Sequence, residues 1–256
     1  MHGQRIIRLA LSALILAALL LDASGYYQYP FLNQLENWTY DVRLNATRPD
    51  THDDRIVIVD IDENSLEEVG RWPWGRDKLA TIVDNLFNRY QASVVGFDIV
   101  FAEKDKSSGL EVFEDLAENE LRTNTEYLNT LNKIRPTLEL DRIFAKSLEN
   151  KNVIMGYYFK ATVPDDEVGT TGSLPPSVMK FEKLWSERLP INEAKGYGGN
   201  LQILQRAAAG GGFFDNPHVD QDGVFRRVPL LQSYEDHLYP SLALAITQAY
   251  LNVPRI

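Results

Sequence analysis

Residues 55–62, Arg-Ile-Val-Ile-Val-Asp-Ile-Asp, limit the fold more than any other stretch of this chain. The unbroken β-branched run at 56–59 suits a strand covered on both faces, the state of a strand inside an α/β layer. Asp60 and Asp62 stand two apart at its end, so a strand would turn both carboxylates to the same side. In open α/β sheets ligands bind beyond the carboxyl ends of the strands, which makes this acidic pair a candidate site. A short helix is expected next, with Asn64 or Ser65 as cap, Glu67 and Glu68 in the opening turn and Gly70 as stop. The segment Arg71-Trp-Pro-Trp-Gly-Arg76 then sets two tryptophans and two arginines within six residues. Arg71, Trp72, Trp74 and Arg76 can stack, clamp a carboxylate or cover a core edge, and the two arginines are candidate partners for Asp60 and Asp62.

Periodicity extends this start into a layered fold. Residues 76–90 put Leu79, Ile82, Val83, Leu86 and Phe87 on one helical face, and 93–101 read as a second buried strand. The two strands and their helix form a βαβ unit, hence parallel neighbours with a right-handed crossover. Asp98 lies near the end of the second strand, which would gather Asp60, Asp62 and Asp98 at one sheet edge. Residues 103–136 turn polar and acidic but keep helical spacing, as expected of a partly helical insertion. A helix over 138–148 and a third strand over 152–159 follow. Residues 160–177 and the stretch with Gly196, Gly198 and Gly199 read as loops. Residues 210–214 and 224–231 are expected to pair antiparallel around a tight acidic loop, before a last helix that buries Leu242, Ala245, Ile246 and Ala249. The fold class is therefore α/β: a βαβαβ core with parallel strands plus a C-terminal antiparallel strand pair, preceded by an N-terminal membrane helix.

That membrane helix rests on the apolar run at 6–21, interrupted only by Arg8 and Ser12 and preceded by Arg5. It is short against the roughly 20 residues of a span, yet it has the positive start and apolar middle of a secretory signal. Small residues at 23–25 would suit a signal peptidase, so an uncleaved anchor and a removed peptide both remain open. Either way, the positive charge at the start puts residues from about 25 onward across the membrane. The expected division is an anchor at 1–25 and a domain at 26–256. Residues 26–44 place Phe31, Leu35, Trp38 and Val42 on one face of a connecting helix that Arg48-Pro49-Asp50 ends.

Charge and composition exclude several functions. A net charge of -10 disfavours nucleic acid or an anionic bilayer surface as the main partner, since both are polyanions. The chain has no cysteine, which removes disulfides, thiolate metal sites and cysteine nucleophiles. No nucleophile elbow, phosphate loop or dinucleotide fingerprint is present. Asp220-Gln-Asp-Gly223 imitates the start of a calcium loop, but counting forward puts Pro229 where the bidentate glutamate belongs. Asp220 and Asp222 are better read as turn residues, with Arg226 close by for an ion pair. No cofactor is implied. A magnesium-dependent hydrolase built on Asp60, Asp62 and Asp98 is one alternative, and an interaction domain presenting Trp72 and Trp74 is another.

Four stretches together resemble the CHASE2 family. They are the Trp38-Thr-Tyr-Asp-Val-Arg43 lead-in, the 56–76 segment, the Val94-Val-Gly-Phe-Asp-Ile-Val-Phe101 strand, and the run from Gly212 through Asp220-Gln-Asp-Gly-Val-Phe-Arg-Arg-Val-Pro to Tyr239-Pro-Ser-Leu-Ala-Leu244. The resemblance implies an extracytoplasmic sensory domain of a bacterial receptor behind one membrane helix. Such domains usually continue into further membrane helices and a cytoplasmic cyclase or kinase output, whereas this sequence stops at Ile256. It is then either the sensory part of a longer receptor or a free-standing sensor that signals through a partner. The implied partners are an unknown small ligand or periplasmic protein, the membrane through the N-terminal helix, a cytoplasmic output domain or partner, and a second copy if it forms a homodimer. The resemblance supplies no catalytic set. The candidate ligand residues are those read above: Asp60, Asp62, Arg71, Trp72, Trp74, Arg76, Asp98, Asp220, Asp222 and Arg226.

Overall fold

The computed structural model describes residues 2–27, 29–49, 51–164, 168–180 and 191–253. Asp50 of the expected helix stop and residues 165–167 of the expected loop lie outside them. The chain divides into two compact units, Met1–Ile61 and Asp62–Ile256.

The first unit is helical. Helix α1, His2–Ala23, contains a 20-residue apolar span, Gln4–Ala23, with its side chains turned outward. At 1.5 Å per residue that span measures about 30 Å, the thickness of a bilayer core. Asp22 closes it by accepting the N–H of Tyr29 at 2.7 Å, which fixes the entry to α2, Pro30–Thr47. Proline opens α2 where its missing N–H costs nothing. The expected first strand does not form. Residues 56–61 belong to no strand, and Ile56, Val57, Ile58 and Val59 are 74%, 76%, 87% and 64% exposed. A β-branched run fits a pleated surface but cannot supply its own neighbour, and the described residues of this unit contain no other strand.

The second unit holds the sheet. Helices α3 (Glu63–Val69) and α4 (Arg76–Asn88) lead to strand β1, Val95–Phe97. The acidic insertion folds as α5 (Leu110–Glu118) and α6 (Thr125–Leu138), and α7 (Leu140–Leu148) returns the chain to β2, Val153–Lys160. Short strands β3 (Thr170–Thr171), β4 (Met179–Lys180) and β5 (Gly196–Gly198) precede α8 (Gln202–Ala207) and β6 (Gly210–Phe213). The chain then forms the hairpin β7 (Leu231–Tyr234) and β8 (His237–Pro240), and α9, Leu242–Leu251.

Strand β2 is the centre. β1 runs parallel to it with Val95 opposite Val153, and β6 runs parallel to it with Ile154 opposite Gly210. The βαβαβ core is therefore present, one strand later in the chain than expected: β1, α7, β2, α8, β6. Two pairings need correction. Residues 210–213 join β2 in parallel instead of meeting 224–231, and the antiparallel pair is β7 with β8. The glycine stretch read as a loop supplies β5, antiparallel to the end of β2.

Helices cover the sheet on both sides. A Cβ on Gly96 would strike Ile246 of α9, whereas Phe97, the next residue, meets Phe144 of α7 with ring centroids 5.8 Å apart. Successive strand residues face opposite ways, so α9 and α7 lie on opposite faces. Phe101 and Phe144, edge to face at 5.4 Å, are both fully buried, and Val83, Leu79, Leu148, Met155 and Leu204 are buried with them. Each such side chain contributes roughly 1.5–3 kcal/mol of burial.

Candidate functional site

The loop that leaves α3 is held at both ends. Asp62 caps that helix, its Oδ1 accepting the Ser65 N–H at 2.9 Å and the Ser65 hydroxyl at 2.6 Å, two residues ahead of the earliest expected cap. These hydrogen bonds lower the Asp62 pKa. Gly70 ends the helix at φ +104, a conformation that favours glycine. Trp74 is buried at 7% exposure and donates from its indole N–H to the Gly70 carbonyl at 2.7 Å. Trp72 meets Trp74 edge to face at 5.7 Å and stays 37% exposed. One tryptophan anchors the loop and the other is presented.

Arg76 follows this loop as the buried first residue of α4. Its backbone N–H, an orphan donor at the start of α4, reaches Asp105 Oδ2 at 2.7 Å. Its guanidinium stacks 4.3 Å over the Phe101 ring and donates to the Glu103 carbonyl at 3.3 Å. Nε faces Asp141 Oδ1 at 3.5 Å, a contact of charge without a hydrogen bond, and neither atom has a hydrogen-bond partner among the described residues. Asp141 Oδ2 accepts the Asp105 N–H at 3.1 Å, and Asp105 Oδ1 accepts the Ser107 N–H at 2.8 Å. Burial pushes the Asp141 carboxyl up, against the pull of the Asp105 N–H and the Arg76 charge. Burial also opposes ionisation of Asp105, but hydrogen bonds from Ser107 and Arg76 prevail and hold it below its usual value. Burial lowers Arg76 itself, while Asp141 and Asp105 resist.

Beside this cluster lies an open groove of about 490 Å³, lined by Arg71, Trp74, Lys78, Ser107, Ser108 and Thr137 among others. Two cations, Arg71 and Lys78, the Asp77 carboxylate, three hydroxyls and one aromatic side chain therefore line one surface. Of the expected residues, Arg71 and Trp74 line it, Trp72 meets Trp74 edge to face, and Arg76 sits between the lining residues Gly75 and Asp77 in the chain.

The other expected residues are elsewhere. Asp60 is exposed in the first unit, and Asp98 is exposed one residue beyond β1. Asp62 is committed to its cap. Within the second unit Arg76 takes Asp105 and Asp141 as its carboxylates, in place of Asp62. Among the described residues no three His, Asp or Glu side chains converge to hold a metal ion. Asp220, Asp222 and Arg226 form their own turn. Arg226 binds Asp220 at 2.8 Å and Asp222 at 2.7 Å, and this hydrogen-bonded pairing brings the Asp222 pKa down to about 2.

Sequence reasoning missed Asp105, Asp141 and Asn200. Asp141 carried a legible signal, because it shares the buried stripe with Phe144, Ala145 and Leu148 at helical spacing. Asn200 is fully buried, accepts the Phe101 N–H and donates to the Gly156 carbonyl, both at 2.8 Å. It fastens the end of the β1 segment to β2, and a lone asparagine after three glycines gives no hint of that.

A family model described as CHASE2 domain matches residues 12–256. The chain belongs to the CHASE2 domain family. No curated protein and no solved structure matches it. CHASE2 domains are extracytoplasmic sensory domains of signalling receptors, and the family is sensory in role, not catalytic. Membership ties the chain to a membrane and to cytoplasmic signalling partners, in keeping with the apolar helix α1. The four stretches that carried the resemblance all fall within the matched CHASE2 range.

Proposed function

We propose that this CHASE2 chain is the periplasmic input domain of a bacterial inner-membrane receptor, with residues 1–25 as its anchor and 26–256 as its sensory part. It senses a ligand, a partner protein or envelope stress and passes the signal to a cytoplasmic output, an adenylate or diguanylate cyclase or a kinase. The groove beside Arg71 and Trp74 is its input site. The observation that carries this reading is the Arg76 cluster: a buried arginine whose backbone N–H is taken by Asp105 and whose guanidinium faces Asp141 at 3.5 Å without a hydrogen bond, flanked in sequence by Gly75 and Asp77 of the groove lining.

Such a pair has somewhere to go. An occupant contacting Arg71, Trp72 and the Ser107–Ser108 turn would bias Arg76 between Asp141 and Asp105, and so bias the packing of α7 on α4. A ligand shifts this equilibrium only by its difference in affinity for the two arrangements. The test is thermal unfolding of the full chain in detergent against divalent cations and small metabolites, with Arg71→Ala and Trp72→Ala alongside. A ligand at 100 times its dissociation constant stabilises by about 2.7 kcal/mol. A shift abolished by Arg71→Ala supports the site, and a shift indifferent to both variants places the input elsewhere.

A further inference from the structure

A second groove, of about 810 Å³, runs between α7 and α8. Its volume is within the range of small-molecule sites. Arg142 and Lys146 line it from α7 and Arg206 from α8, against a single lining carboxylate, Glu149. Arg142 is already tied to Glu139 at 3.2 Å. Lys146 and Arg206 have no ion-pair partner among the described residues, although the chain carries 36 acidic residues against 26 basic ones. Asn150 and Gln202 add carboxamides, and Ile203 adds an apolar wall.

We propose that this groove binds a small organic anion with two carboxylate groups, one for Lys146 and one for Arg206, bridging α7 to α8. A guanidinium takes a carboxylate through a two-point fork and an ammonium takes one as a point charge. The carboxamides suit the polar remainder of such a ligand, and Ile203 suits a short aliphatic backbone. The occupant is small because the net charge of -10 repels an extended polyanion while two local cations still attract a compact one. Lys146 and Arg206 also stand in the last turns of their own helices, where a cation offsets the negative end of the dipole. That role requires no ligand, so the experiment must read a response to anions.

The full chain in detergent is melted in succinate, citrate, inorganic phosphate and sodium chloride at matched ionic strength. The variants are Lys146→Gln, Arg206→Gln, the double variant, Arg206→Lys and Arg71→Ala. All the substituted side chains are exposed, and anion-free melting and circular dichroism verify folding. Succinate or citrate should raise the melting temperature by several degrees above the chloride control. The double variant should need at least tenfold more anion for the same shift, Arg206→Lys should recover part of it, and Arg71→Ala should leave it intact. Equal shifts with chloride or phosphate, no shift at all, or a shift that survives in the double variant would each overturn the proposal. Because Arg71 belongs to the other groove, failure here and failure of the input site are separate results.

Discussion

Arg76 is served by two carboxylates whose proton affinities move in opposite directions. Asp141 is raised above the usual 3.8 by burial, so the folded chain holds that proton more tightly than the unfolded one. Its contribution to stability is complete below 3.8 and is lost as pH rises through the raised value. Asp105 is lowered, so its contribution is present above 3.8 and is lost as pH falls through the depressed value. Urea midpoints between pH 3 and 6 should therefore separate the two. Relative to the parent chain, Asp141→Asn should gain stability with rising pH above 3.8, and Asp105→Asn should lose it with rising pH below 3.8. Neither slope can exceed about 1.4 kcal/mol per pH unit, the limit for one proton. Difference curves of the same sign would mean that the two carboxylates do not share Arg76 as described. The arginine was legible in the sequence as a residue needing anionic partners. Its partners were not, because they come from a loop and a helix that the backbone brings back 29 and 65 positions later.

At the scale of elements, the glycine strand β6 shows why pairing was harder to read than strand identity. A Cβ on Gly212 would lie 2.5 Å from Leu242 Cα and 2.6 Å from Leu242 N, so α9 seats its backbone directly on the strand. A Cβ on Gly210 would meet only Ile154 Cδ1, at 3.4 Å. Gly212→Ala should destabilise by about 1–3 kcal/mol, the cost of forcing apart packed backbone, and Gly210→Ala by under about 1 kcal/mol. Chemical unfolding of the two variants checks the contrast, and equal losses would contradict this seating. From sequence, closeness along the chain suggested a hairpin between 210–214 and 224–231. The hairpin that forms turns on Glu235 and Asp236, both at positive φ, a geometry usually announced by Asn-Gly. Helices were easier. The stripes of α4, α7 and α9 follow from spacing alone, because burying one face of a helix needs no knowledge of which strand lies beneath. The run at 56–59 marks the limit of that method. It has strand chemistry without a strand partner in its own unit.

For the whole molecule, the apolar span predicts how the chain behaves in a cell. With 20 residues of apolar helix, alkaline carbonate should leave the full chain in the membrane pellet, and deletion of residues 1–25 should release it. N-terminal sequencing of the mature chain, from whichever fraction holds it, should start ahead of Arg5; a start near residue 26 would identify a removed signal peptide. Class, apolar N-terminal helix and family were all legible, since each depends on composition or on local order along the chain. Of the candidate ligand residues in the second unit, only some meet on one surface. Arg71 and Trp74 do line a groove, whereas the acidic residues meant to join them cap a helix, form a turn or stand exposed. Helix α7 has only nine residues, yet Leu140 at its start walls one groove and Lys146 near its end walls the other. Occupants of the two grooves would then be thermodynamic neighbours through a single rigid rod, and any factor by which one tightens the other must act with equal size in reverse.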